Sequence, residues 1–139
     1  MTVAMILLPL FVQVALTFAL LFILGPLRAR AVATGEAGPD VALDREAYPP
    51  PCRKVANAFH NQFELPVLFY VLTALALFTR KADLIFVILA WVFVLSRIIH
   101  AVIHATSNDM RLRFPAYALG AIILALMWVL FALAILLNI

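Results

Sequence analysis

The chain has 139 residues, 67% hydrophobic and 12% charged, with a formal net charge of +3 and a mean hydropathy of +1.13. Such a composition describes an all-α integral membrane protein long enough for a single domain of four spans over residues 1–139. The basic residues sit in loops and at helix ends, with no basic stripe interleaved with aromatics, which excludes nucleic acid as a partner. The single cysteine, Cys52, excludes an internal disulfide and a cysteine-based metal cluster.

The first span is expected at about 3–24, closed by Gly25-Pro26. No charged side chain precedes Arg28, so the segment is read as a retained helix rather than a cleaved signal, and Arg28 and Arg30 place its C-terminal end on the cytoplasmic side. Gln13, near mid-span, is expected to hydrogen-bond to a neighbouring helix, and Pro9 to kink its own. Residues 28–54 form the only long polar segment, marked as a loop by Gly35, Gly38, Pro39 and Pro49-Pro50-Pro51.

The second helix is expected at about 52–79, and its opening is the most informative stretch in the chain. Arg53, Asn57, Asn61 and Glu64 fall on one helical face. The uninterrupted apolar run after them, Leu65 to Phe78, is 14 residues. At 1.5 Å per residue it reaches about 21 Å, short of the roughly 30 Å of a bilayer core. The helix spans only by drawing Asn61 and Glu64 into the membrane, where ionisable groups face a protein interior or a wet cavity.

The third helix, at about 83–105, follows a tight turn at Thr79–Asp83 and has the same shortage: 12 apolar residues, Leu84 to Leu95, precede Ser96, Arg97, His100 and His104. Arg97, His100 and His104 share a face. Counted from the shared turn, Glu64 and Arg97 lie at about 24 Å and 21 Å, so an ion pair between them is expected, with His100 level with Asn61. The two short helices together would line one polar pocket. The fourth helix, at about 115–137, carries no charge, and Pro115 suits its first turn. Seven lysines and arginines lie in segments 26–54 and 105–114, against Arg80 and Lys81 on the other side, so both termini are expected away from the cytoplasm and the pocket towards it.

The pocket inventory is Arg53, Asn57, His60, Asn61 and Glu64 with Arg97, His100 and His104, and Arg111 and Arg113 at the rim. Arginines suit carboxylates and the glutamate suits an ammonium, a set that fits glutathione. An adjacent arginine would also raise its thiolate fraction. His100 and His104 have metal-ligand spacing, but without a second carboxylate no metal site is expected.

The order Arg53…Asn57…Asn61-x-x-Glu64-x-Pro66, then Arg97-x-x-His100, then Arg113 before a fourth span, resembles the MAPEG family, membrane-associated proteins of eicosanoid and glutathione metabolism. The resemblance implies a four-helix protomer in a homotrimer, with glutathione as cosubstrate held between neighbouring subunits by residues of the inventory above. It also implies an activating arginine near the start of the fourth helix, here Arg113, with Arg111 the runner-up. The sequence departs from the family pattern at His60, where an arginine is usual, at His104, where a tyrosine would be similar, and at Phe114, which replaces a hydroxyl residue. The activity implied is a glutathione-dependent transferase or peroxidase acting on a small lipophilic substrate dissolved in membrane lipid; the basic-residue count places it at the cytoplasmic face, and the short loops point to a bacterial inner membrane. The alternative is a non-catalytic lipid-binding or scaffold protein of the same family. A transporter subunit is disfavoured by the one-sided polar cluster and the charge-free fourth helix.

Overall fold

A computed structural model describes all residues 1–139. The chain is all-helical: α1 (Val3–Ala33), α2 (Pro50–Asn61), α3 (Leu65–Phe78), α4 (Leu84–Ala105) and α5 (Met110–Leu136), with one 3₁₀ turn at Arg45–Ala47. With α2 and α3 counted as one interrupted span, 4 helices are long and apolar enough to cross a membrane. They form a bundle with α4 at its centre, packed against α1, α2 and α5.

Two boundaries differ from expectation for tertiary reasons. Helix α1 does not stop at Gly25-Pro26 but runs 31 residues to Ala33. That is about 46 Å, so its last turns project beyond the roughly 30 Å hydrocarbon core. There Leu27 packs on a cluster of Leu24, Val55 and Ala56, and Ala31 is buried one turn further on. Outside the hydrocarbon, burying a leucine contributes about 1.5–3 kcal/mol, comparable with the roughly 3 kcal/mol cost of an interior proline. The Thr34 hydroxyl then closes the helix by donating to the Arg30 carbonyl at 2.9 Å. Helix α5 starts at Met110 rather than at 115 because Asp109 caps it, its carboxylate accepting from the Arg111 amide at 3.0 Å. Arg111 and Arg113 therefore lie on the first turn of a helix and not in a loop.

The second span is broken. Pro66 has no amide hydrogen, and its ring crowds the carbonyl of Gln62 one turn earlier. The chain responds with short-range turns, Gln62 N to Phe59 O at 3.0 Å and Phe63 N to His60 O at 3.0 Å, and Glu64 leaves the helical region at φ −99°, ψ −106°. The expected continuous helix over 52–79 is thus two helices, and the stripe of Arg53, Asn57 and Asn61 does not extend to Glu64.

The main core lies in the apolar half of the bundle. Phe69, Leu72 and Ala76 of α3 meet Phe86, Val87, Ala90, Phe93 and Val94 of α4 and Leu124 and Met127 of α5. The rings of Phe69 and Phe93 have centroids 4.9 Å apart. Gly120 lets α4 and α5 close up: a Cβ there would sit 2.8 Å from the Ser96 hydroxyl oxygen, the role of small residues in membrane helix packing. Gln13 behaves as its mid-span position suggests. Its Nε2 donates to Gln62 Oε1 at 2.6 Å, fully buried, while Gln62 Nε2 donates back to the Ala58 carbonyl at 3.0 Å. The bond ties α1 to the break in the second span, where freed polar groups need partners.

Candidate functional site

The end of the bundle formed by the C-termini of α1 and α4 and the N-termini of α2 and α5 holds a cavity of about 450 Å³ with no hydrophobic lining residue. In a chain this apolar, eight polar side chains converge there: Arg45, Asn57, His60, Asn61, Glu64, His100, His104 and Arg113. The volume lies in the range of small-molecule sites.

Helices α2 and α4 supply the back wall. Asn61 and His100 are buried and joined, Asn61 Nδ2 to His100 Nδ1 at 3.2 Å, which bears out the expectation that they lie level. The ring of His100 also packs against those of His104 and Tyr117, with centroids 5.4 Å and 5.5 Å away. Asn61 Oδ1, His104 Nδ1 and His60 Nε2 are buried without a hydrogen-bond partner. Unfilled capacity of that kind at a cavity wall is what a polar ligand satisfies. No group of three His, Cys, Asp or Glu side chains is arranged to hold a metal ion.

Helix α5 supplies Arg113, held half-buried by Nη1 donating to the side-chain carbonyl of Asn108 and by contact of Nη2 with Met110 Sδ. Arg111 is exposed and outside the cavity lining. Arg53 also lies outside the lining; its Nη1 pairs with Glu46 Oε2 at 2.8 Å.

The expected ion pair between Glu64 and Arg97 does not form. Because the helix breaks before Glu64, its side chain is exposed and lines the cavity, whereas Arg97 is not among the lining residues. Arg97 is fully buried and all three guanidinium nitrogens lack a hydrogen-bond partner. Its charge rests over the Tyr117 ring, 5.4 Å from the centroid, a cation–π contact that offsets part of the burial cost. Arg97 therefore does not touch the cavity directly.

Arg45 is the lining residue that sequence reasoning did not single out: it counted only as a loop charge, and nothing local to residue 45 signals which way a loop folds. Tyr117, one turn past Arg113, and Gln62, next to Asn61, likewise lie outside the polar pattern of the sequence.

The family model described as MAPEG family matches residues 6–133 of the chain. Comparison with curated proteins and with solved structures gives no match.

Proposed function

Since the chain belongs to the MAPEG family, we propose that it is a membrane-bound glutathione-dependent transferase or peroxidase acting on lipophilic electrophiles where the cavity meets the bilayer surface. The observation that carries the reading is the all-polar cavity with two cations, one carboxylate and orphaned amide and imidazole atoms. Glutathione carries two carboxylates, one ammonium and a thiol, and this donor set meets them: one arginine for a carboxylate and the other for the thiolate, Glu64 for the ammonium, Asn57, Asn61 and the histidines for the peptide groups.

In this reading the apolar substrate dissolves in lipid and the cosubstrate is held at the polar end. Arg113 is the activating cation, because it lines the cavity while Arg111 does not. Its charge favours loss of the thiol proton. In conjugation the thiolate sulfur bonds to the electrophilic carbon and the leaving group departs with the bonding pair. In peroxide reduction two glutathione thiols are oxidised to the disulfide while the hydroperoxide becomes an alcohol and water. Homotrimeric assembly, a cytoplasmic orientation of the cavity and residence in a bacterial inner membrane belong to the same proposal, supported in turn by the family, by the seven-to-two bias of basic residues towards the cavity end and by the short loops.

The test is addition of millimolar glutathione to purified protein, read by thermal shift and calorimetry, followed by turnover with an aryl halide and a lipid hydroperoxide. Stabilisation with turnover is expected. Stabilisation without turnover on either substrate would favour the lipid-binding, non-catalytic alternative, and no stabilisation would remove glutathione from the reading.

A further inference from the structure

Seven of the eight residues lining the polar cavity come from helices or from the break in the second span. Arg45 alone comes from the long loop between α1 and α2, and that loop is fastened down. The Gly38 amide donates to the Ala47 carbonyl at 2.9 Å, closing the loop on itself. Asp44 caps the 3₁₀ turn, its carboxylate accepting from the Glu46 amide at 2.9 Å. Glu46 then reaches Arg53 of α2 at 2.8 Å, and the Arg28 guanidinium of α1 covers the Tyr48 ring at 4.9 Å. Both acidic neighbours of Arg45 are thus occupied elsewhere, and Arg45 itself makes no ion pair. A basic residue that only anchors a loop at a membrane surface needs no such fastening.

The charges at the cavity point the same way. Arg45 and Arg113 face a single carboxylate, Glu64, so with neutral imidazoles the lining carries a net positive charge. We infer that Arg45 is a ligand-anchoring residue that grips a carboxylate of the cavity's anionic ligand with its planar guanidinium fork, and that the Glu46–Arg53 pair is the latch holding it over the mouth. Arg53 in this arrangement is a positioning residue for Arg45. The inference rests on the glutathione reading for the identity of the ligand but not for the presence of an anion site.

The experiment uses the full chain in detergent micelles with two probes, glutathione and inorganic phosphate, read by calorimetry and thermal shift. Arg45→Ala should weaken glutathione binding roughly ten- to a hundredfold, the range for loss of a charge-assisted hydrogen bond, with ligand-free melting unchanged because the residue is exposed. Arg45→Lys, which keeps the charge and loses the fork, should fall between. Glu46→Gln and Arg53→Ala should each weaken binding by only about twofold to fivefold, as for an exposed ion pair, and the swapped pair Glu46→Arg with Arg53→Glu should restore it. A loss at Arg53→Ala as large as at Arg45→Ala, without rescue by the swap, would overturn the latch. If wild type does not bind glutathione, the proposed function fails, and the anion site is judged with phosphate. Stabilisation of wild type and not of Arg45→Ala would retain it; equal responses of the two proteins to the bound probe, or no response of wild type to either, would overturn it.

Discussion

The two halves of the bundle are built on opposite principles, and α4 runs through both. In the half bounded by the Thr79–Asp83 turn, α4 presents Phe86, Val87, Ala90, Phe93 and Val94 to α3 and α5, and the buried Thr73 hydroxyl bonds within its own helix. One turn further, the same helix buries Ser96, Arg97, His100 and His104. The first half buries one indole nitrogen, Trp128 Nε1, without a partner. The second leaves polar atoms of Asn61, His60, His104 and Arg97 without partners. A membrane protein holds unsatisfied groups at such depth where a ligand or a wet cavity meets them, so the contrast separates the part of the chain that makes the fold from the part that uses it.

Variants placed in the two halves should therefore separate stability from function. The largest effect is expected at Phe69→Ala, which empties the centre of the apolar half: a loss of about 3–5 kcal/mol, measured as unfolding in mixed micelles, with ligand affinity of the surviving folded fraction unchanged. A loss of affinity in that fraction would show the halves to be coupled.

Next comes Arg113→Ala in the polar half. Turnover should fall about a hundredfold, near 2.7 kcal/mol of barrier, and the pH–rate profile should move upward. Binding of glutathione should change little, as expected for a group acting on the reacting thiolate. Equal losses of rate and binding would make Arg113 a carboxylate anchor instead.

Gln13→Leu tests the seam between the halves. Loss of its buried bond to Gln62 should cost about 0.6–1.7 kcal/mol and loosen the break at 62–64, with a modest fall in ligand affinity because Asn61 and Glu64 flank the freed Gln62. Stability unaltered by Gln13→Leu would show that the break is held by Pro66 alone.

The smallest effects belong to the lysines at the two ends. Lys54 donates to the Thr106 carbonyl at 3.2 Å beside the cavity, and Lys81 to the Ile139 carbonyl at 2.9 Å at the opposite end. Each truncation to alanine should cost under about 1 kcal/mol, and only Lys54→Ala should register in glutathione titrations.

What the sequence by itself determined follows from properties that are local or additive along the chain. Four spans are legible from apolar length, because a bilayer of fixed thickness demands it. The start of α4 is legible from Asp83, since a cap acts within one turn. The pairing of Asn61 with His100 is legible too, as two antiparallel helices joined by a tight turn share a depth scale. Tertiary structure decided the rest. Pro66 stands in plain view, but the direction in which Glu64 turns after the break depends on which freed groups find partners, and it separates Glu64 from Arg97. The continuation of α1 past Pro26 depends on Val55 and Ala56, residues remote in sequence against whose cluster Leu27 packs. The position of Arg45 over the cavity depends on closing a long loop against α1 and α2 at once. Periodicity along one helix carries no information about such closures, because each is set by contacts between segments that the chain brings together only when folded.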